Sequence, residues 1–344
     1  MSGEREGVSF VVPVSNGARW LDRVLTAILA QDDGRPMEVL AVDDGSTDAS
    51  PRILGAFAAR GRVSVHAGPH RGAAAAINLG IRRAACPIIC QVDQDVIPEP
   101  GWMARLTAEL TAPDVAAAQG YYVTPREGSL WARVMGLDLE QRYGRIPGCV
   151  VNHVATGNTA YRAAALHAVG LFDESLGYGY DNDMSYRLTT AGYRLVFSRA
   201  ARSVHRWRET ARGYLTQQYG VGYGRLEVVA KHPARVLGDD VSGLGMILHA
   251  PAMLAAWGGL GLALGLGLSG GAWRPLAAAA GALLGALTLE RVVAGARAAA
   301  RFRDPAGLAF APIHLLRDAA WAIALLVWAA RRLASRAARP SDSM

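Results

Sequence analysis

Four short apolar runs, each closing on polar turn residues and followed by a helix-spaced stretch, restrict this chain more than any other feature. Val8-Ser9-Phe10-Val11-Val12-Pro13-Val14 reads as a strand, and Ala18 to Gln31 carries Leu21, Val24, Leu25, Ile28 and Leu29 at the spacing of one helix face. Met37 to Val42 is a second strand that ends in Asp43-Asp44-Gly45-Ser46-Thr47-Asp48, after which Ser50-Pro51 opens a helix to about Arg60. Val63-Ser64-Val65-His66 leads through Gly68-Pro69-His70-Arg71-Gly72 into an alanine-rich helix, Ala73 to Ala85. The fourth run, Ile88-Ile89-Cys90-Gln91-Val92, stops at Asp93-Gln94-Asp95, ahead of the breaker Pro98-Glu99-Pro100-Gly101. Nearly continuous apolar strands alternating with helices predict an α/β fold, a parallel sheet covered on both faces. Ligands of such sheets bind beyond the carboxyl ends of the strands. The loops at Ser15-Asn16, Asp43-Asp44 and Asp93-Gln94-Asp95 should therefore converge on one crevice.

The residue types in those loops narrow the chemistry. Two carboxylates one residue apart can hold a hard divalent cation, Mg²⁺ or Mn²⁺, which keeps few protein ligands and bridges substrate phosphates. A carboxylate at the end of the second strand can accept hydrogen bonds from a ribose or a base. Asp43 and Asp44 are thus candidate nucleoside ligands, and Asp93 and Asp95 candidate ligands of a metal diphosphate. No strand is followed by G-x-G-x-x-G, and G-x-x-x-x-G-K-[ST] is absent, which argues against a dinucleotide dehydrogenase and a P-loop NTPase. The loop Ser15-Asn16-Gly17-Ala18-Arg19 is too thin for the basic, glycine-rich loop of a nucleotidyltransferase. Cys86, Cys90 and Cys149 are odd in number and lack zinc spacing, so reduced thiols facing the cytosol are expected.

Val11-Val12-Pro13-Val14-x-Asn16, Val42-Asp43-Asp44-Gly45-Ser46-x-Asp48, Arg71-Gly72 with Asn78-x-Gly80, and Asp93-Gln94-Asp95 resemble, in order and spacing, the motifs of family 2 glycosyltransferases of GT-A fold. The resemblance runs over about residues 7 to 230. It implies a Rossmann-like mixed sheet and an inverting transfer of sugar from a nucleoside-diphosphate sugar to a hydroxyl acceptor. It also implies that Pro13, Val14, Asn16, Asp43, Asp44, Arg71, Asn78 and Asp93 surround the donor, with Asp93 and Asp95 on the metal. The family's Glu-Asp-x-x-Leu-Ser-x-Arg finds its counterpart from Tyr180 to Arg187, with Asp181 on the catalytic base and Tyr180 in place of the Glu. A carboxylate there can take the proton of an attacking hydroxyl; as a plain N-cap it would only start a helix over Met184 to Ala191. His205, just past the strand Tyr193 to Phe197, resembles the third metal ligand of many GT-A enzymes, and Arg206 and Arg208 could offset diphosphate charge. The Gln-x-x-Arg-Trp signature of processive synthases is missing, which favours single-sugar transfer. A non-catalytic sugar-nucleotide sensor or scaffold on the same fold is the alternative.

Hydrophobic residues make up 51% of 344, an excess for an ordinary soluble enzyme, and it is concentrated in the last third. Leu244 to Leu268 is long enough to cross ~30 Å of hydrocarbon, and residues 275–294 can do so with tilt or snorkelling. A third run, about 312–330, is interrupted by Arg317 and Asp318. Basic clusters precede it at Arg297, Arg301 and Arg303 and follow it at Arg331, Arg332, Arg336 and Arg339. Cytoplasmic placement of both clusters and of the catalytic domain requires an even number of crossings. The first two segments then form a hairpin and the third lies in the interface; a third crossing needs Arg317 and Asp318 to pair within a bundle. The expected organisation is a catalytic domain over residues 1–235 and a membrane region over 236–344, in the cytoplasmic (inner) membrane. The net charge of +7 suits membrane lipids rather than nucleic acid, for which no aromatic and basic stacking pattern is present. The acceptor is expected to be lipid-linked or an envelope glycan.

Overall fold

A computed structural model describes residues 6–337; Arg339 of the last basic cluster lies outside the described residues. The predicted alternation is present as β1 (Val8–Val14), α1 (Ala18–Leu29), β2 (Met37–Asp43), α2 (Ser50–Ala58), β3 (Ser64–Ala67), α3 (Ala73–Arg83) and β4 (Ile88–Val92). All seven residues of β1 are buried, as a strand covered on both faces requires. Helix α1 buries Leu21, Val24, Leu25 and Ile28, one stripe at helical spacing.

After β4 the chain departs from pure parallel alternation. It continues with β5 (Val96–Pro98), α4 (Trp102–Glu109), β6 (Val115–Val123), α5 (Leu130–Tyr143), β7 (Val150–Val151), β8 (Asn158–Arg162), α6 (Ala163–Ala168), α7 (Tyr180–Thr190) and β9 (Arg194–His205). The sheet runs β3-β2-β1-β4-β8-β6-β9-β5, with β7 beside β9. Strands β3, β2, β1 and β4 are parallel, and β8 enters antiparallel between β4 and β6. The sheet is therefore mixed, in keeping with the GT-A expectation. Its β4–β8 register sets Val92 opposite Asn158, which brings the turn before β8 against the turn after β4.

The chain forms two compact units. One comprises residues 1–127, 139–207 and 239–241 and contains the sheet; the other comprises 128–138, 208–238 and 242–344. The units do not divide at residue 235, because 128–138 and 208–238 pack with the C-terminal helices. In that second unit Thr210 caps α8 (Ala211–Lys231), its Oγ1 accepting from Gly213 N at 3.1 Å. Helices α9 (Leu244–Leu268), α10 (Arg274–Phe302) and α11 (Phe310–Ala337) follow. Three helical segments, 244–268, 274–302 and 305–335, are long and apolar enough to cross a membrane. Gly259 lies against Ala280 and Gly267 against Trp273, so α9 and α10 form an antiparallel hairpin. Helix α11 runs alongside and parallel to α8, with Gly222 against Trp321 and Trp328 Nε1 donating to Glu227 at 2.5 Å.

Arg317 and Asp318 do pair, at 3.4 Å, and both are buried. Asp318 also accepts from Arg291 at 3.2 Å, and Arg317 reaches Asp138 at 3.1 Å. His249 and Glu290 complete the group on the far side of Arg291.

Candidate active site

The three polar loops at the carboxyl ends of β1, β2 and β4 do converge, locked together by Gln94, Asn16 and neighbouring side chains. The Gln94 amide pairs with Ser15 in both directions, accepting from its N–H at 2.8 Å and donating to its carbonyl at 2.9 Å. Asn16 takes a left-handed backbone, φ 54°, and its Oδ1 accepts from Thr47 N at 2.9 Å and Asp48 N at 3.2 Å. Asp43 accepts from Ser46 N at 3.0 Å, holding the turn it begins. Asp44 reaches across to the β3–α3 loop and accepts from His70 N at 2.6 Å and Gly72 N at 2.8 Å.

Asp93-Gln94-Asp95 forms the tight turn between β4 and β5, closed by Val96 N donating to Asp93 O at 3.0 Å. Asp93 Oδ1 accepts from Gln91 Nε2 at 2.8 Å, and Gln91 Oε1 in turn accepts from Gly157 N. Gly157 has φ +88°, and a Cβ there would collide with the Asp93 carboxylate, so the approach of this turn depends on glycine. Strand β5 sets Val96 opposite His205, which leaves His205 Nε2 3.3 Å from Asp95 Oδ1. The imidazole is stacked on Tyr122, centroids 4.9 Å apart, and meets the edge of Trp207; its Nδ1 is buried without a hydrogen-bond partner among the described residues.

Asp181 joins this group through α7. Gly179, in a left-handed conformation, starts the helix, so Asp181 lies inside its first turn rather than capping it. There the helix N-terminus favours a carboxylate. Burial, then repulsion from Asp95, pushes the Asp93 carboxyl up to about 6, with Asp181 adding to the push and Gln91 opposing it. Burial also raises the Tyr122 and Tyr180 hydroxyls, with Asp93 and Asp181 contributing. Carboxylates from β4 and α7 therefore share one field.

No three His, Cys, Asp or Glu side chains among the described residues are gathered tightly enough to hold a metal alone. The expected trio Asp93, Asp95 and His205 is near one turn without closing into a ligand set: Asp95 and His205 are in close pair, while Asp93 is engaged by Gln91. That pair fits a hard cation completed by phosphate oxygens, the usual arrangement for Mg²⁺. The His205 ring is held by its contacts with Tyr122 and Trp207 and not by a hydrogen bond at Nδ1 among the described residues.

Other expected donor contacts have different work. Asn78 is 1% exposed and spends its amide on Phe172, donating to O at 2.8 Å and accepting from N at 2.9 Å, as well as donating to Glu174. Arg71 pairs with Glu174 as well. Pro13 and Val14 are buried in β1 and position the Ser15-Asn16 loop from beneath. Arg206 lies over Trp20 at 4.5 Å and bonds Glu127 at 2.8 Å. Gln91, Tyr122 and Gly157 had no motif to announce them, and Gln94 was only the spacer of the Asp93-Gln94-Asp95 motif; Gln94, Tyr122 and Gly157 find partners far along the chain.

Residues 9–170 match the pattern of Glycosyl transferase family 2. A pre-mycofactocin glycosyltransferase of Mycobacterium tuberculosis is 30% identical over 269 residues, 76% of this chain and 54% of the relative. The chain thus spans about half the length of that curated relative. An uncharacterized glycosyltransferase of the same organism is 30% identical over 196 residues, 56% of this chain and 83% of the relative. Among solved structures, a mannosyltransferase from Pyrobaculum calidifontis in complex with GDP-Man and Mn2+ shares the fold, with TM-score 0.60 and 21% identity over 94% of this chain and 87% of that one. With its mixed sheet, its carboxylates at the strand ends and these likenesses, the chain belongs to glycosyltransferase family 2.

Proposed function

We propose that this chain is an inverting, metal-dependent glycosyltransferase that moves a sugar from a nucleoside-diphosphate sugar to the hydroxyl of a lipid-linked or envelope glycan acceptor, at the cytoplasmic face of the membrane. The observation that carries it is the convergence of Asp93, Asp95 and His205 at the end of β4 with Asp181 on α7. Asp43 and the Asp44-braced loop receive the nucleoside. Asp95 and His205, with Asp93 behind them, hold the metal diphosphate. Mg²⁺ or Mn²⁺ bound there would neutralise charge on the departing diphosphate. The GDP-Man and Mn2+ of the Pyrobaculum enzyme support the donor class and the metal.

Asp181 accepts the proton of the acceptor hydroxyl as that oxygen bonds to the anomeric carbon. The bond from that carbon to the diphosphate oxygen breaks on the opposite face, so the configuration inverts. Hydrogen bonds that knit the loops before any ligand arrives leave less ordering to be done at the transition state.

In the membrane region, α9 and α10 cross as a hairpin and α11 lies in the interface, although the buried pairing of Arg317 and Asp318 also meets the condition for a third crossing. Helix α8, with Arg212, Gln217, Gln218, Arg225 and Lys231, is too polar to cross, and α11 is packed along it. The first two crossings return the chain to the side it left, as the basic clusters require.

The test is release of nucleoside diphosphate from UDP-, GDP- and dTDP-sugars by the full chain in detergent, with and without Mn²⁺. Metal-dependent release abolished by Asp95→Asn and by Asp181→Asn is expected. Tight nucleotide-sugar binding with no release on any lipid or glycan acceptor would establish a sensor instead.

A further inference from the structure

Three residues ahead of the first apolar helix return to the catalytic unit. Residues 239–241 belong to the sheet unit, although 208–238 before them and the chain from 242 onward belong to the helical one. Asp239 is 8% exposed, a position carboxylates occupy when hydrogen-bonded. Its Oδ2 accepts from Asn182 Nδ2 at 3.2 Å and from the Tyr186 hydroxyl at 3.3 Å, and its Oδ1 from Val241 N at 3.0 Å. Beside it, Asn152 N donates to Asp240 Oδ2 at 2.7 Å while Asp240 N donates to Asn152 Oδ1 at 3.1 Å.

These contacts fall on the first two turns of α7, the helix that carries Asp181. Asn182 adjoins Asp181 and gives it its backbone N–H at 2.9 Å, while its amide nitrogen also lies 3.2 Å from His153 Nδ1. Ser185 Oγ accepts from Val154 N at 3.1 Å and donates to Asp181 O at 2.8 Å. The start of α7 is therefore gripped by the 152–154 loop and by the 239–241 strap together. The preceding residue, Gly179, is left-handed and follows a glycine-rich stretch, and Tyr180, which opens the helix, meets Phe172 edge-on at 6.0 Å.

We propose that Asp239 is a positioning residue for Asp181. It fixes Asn182 and Tyr186, hence the first turns of α7, and so the direction in which the Asp181 carboxylate faces. The inference rests on the reading of Asp181 as the base. A charged acceptor holds two donors more firmly than a neutral one, and a misplacement of about 1 Å at a base can cost up to ~100-fold in rate. The strap ends three residues before α9 begins at Leu244.

The experiment compares Asp239→Ala and Asp239→Asn in the full chain, by nucleoside-diphosphate release and by amide hydrogen exchange over residues 181–186. For Asp239→Ala we expect kcat to fall about tenfold with donor KM changed less than about twofold, since the loss is in orientation rather than donor binding. Exchange at 181–186 should rise about tenfold as the helix start frays. Asp239→Asn, which keeps an oxygen acceptor for both donors, should recover most of kcat. Parental kcat and exchange in Asp239→Ala would overturn the proposal, as would equal losses of kcat and donor binding with no recovery in Asp239→Asn. Should Asp239→Ala fail to fold, Asp240→Ala loosens the strap from the Asn152 side, and a kcat lowered about threefold is expected, an unchanged one overturning the idea. A parent protein that releases no nucleoside diphosphate, while exchange still rises in Asp239→Ala, would refute Asp181 as base and leave the brace merely structural, overturning the positioning role as well.

Discussion

In the helical unit, Arg291 and Arg317 are buried and share Asp318, while Arg317 also reaches Asp138, so each buried charge has an opposite one beside it. In the sheet unit, burial chiefly, and then the like charges of Asp95 and Asp181, push the Asp93 carboxyl up to about 6, against the bond from Gln91 and the neighbouring His205. The first arrangement satisfies charge within the fold. The second gathers like charges beside a buried carboxyl, a conflict that the proposed cation, or a proton, would relieve. Burial is common to both regions; what separates the ionic cluster of the helical unit from the proposed catalytic one is how far the chain supplies the countercharge itself.

That contrast can be broken by substitution. Asp181→Asn and Asp95→Asn should each lower kcat/KM by ~10²–10⁴ without lowering the melting temperature, since each removes a like charge; a variant that lost stability and activity together would put the residue in the structural class. Asp318→Ala should do the reverse for the protein as a whole, because removing one partner of a buried ion network costs about 3–5 kcal/mol, read as thermal unfolding in detergent. Unchanged stability there would show the helical cluster to be solvated. Mn²⁺ with a nucleoside diphosphate should raise the melting point, and saturation to about 100 times Kd corresponds to ~2.7 kcal/mol; the increment due to Mn²⁺ should vanish in Asp95→Asn. Gly157→Ala forces a side chain into a left-handed position beside Asp93 and should cost ~1–3 kcal/mol, with weakened metal response. The smallest effect is expected for Arg71→Ala, whose partner Glu174 keeps Asn78 and Arg82. An exposed pair of this kind contributes within about 1 kcal/mol, so a large loss of donor affinity in that variant would return Arg71 to the donor site.

Much of the sheet unit was legible along the chain. Strands β1, β2 and β4 are unbroken apolar runs ending in turn residues, and α1 shows its buried face through Leu21, Val24, Leu25 and Ile28. Such signals are local, needing only burial and backbone preference. Asp43, Asp93, Asp95 and Asp181 were conspicuous for the same reason, as carboxylates at strand or helix ends. The work of Asn78 was not. Its side chain is occupied by Phe172 and Glu174, partners 94 and 96 residues away, and no spacing rule reports such a bond. Nor could the antiparallel insertion of β8 be read, since its edge partners are chosen by competition among strands and not by its own five residues.

The amino-acid order alone determined where the strands and helices lie, which loops bear acid, and which helices are apolar enough for a membrane, because hydrophobic burial and turn chemistry act over a few neighbouring residues. Only the tertiary structure decided that Gln91 and Gly157 hold Asp93, that His205 faces Asp95, that Arg317 answers Asp138 as well as Asp318, and that Asp239 grips the helix of Asp181. Apart from Gln91 with Asp93 and Arg317 with Asp318, those are contacts between groups far apart in sequence, and their geometry exists only after the chain has closed on itself.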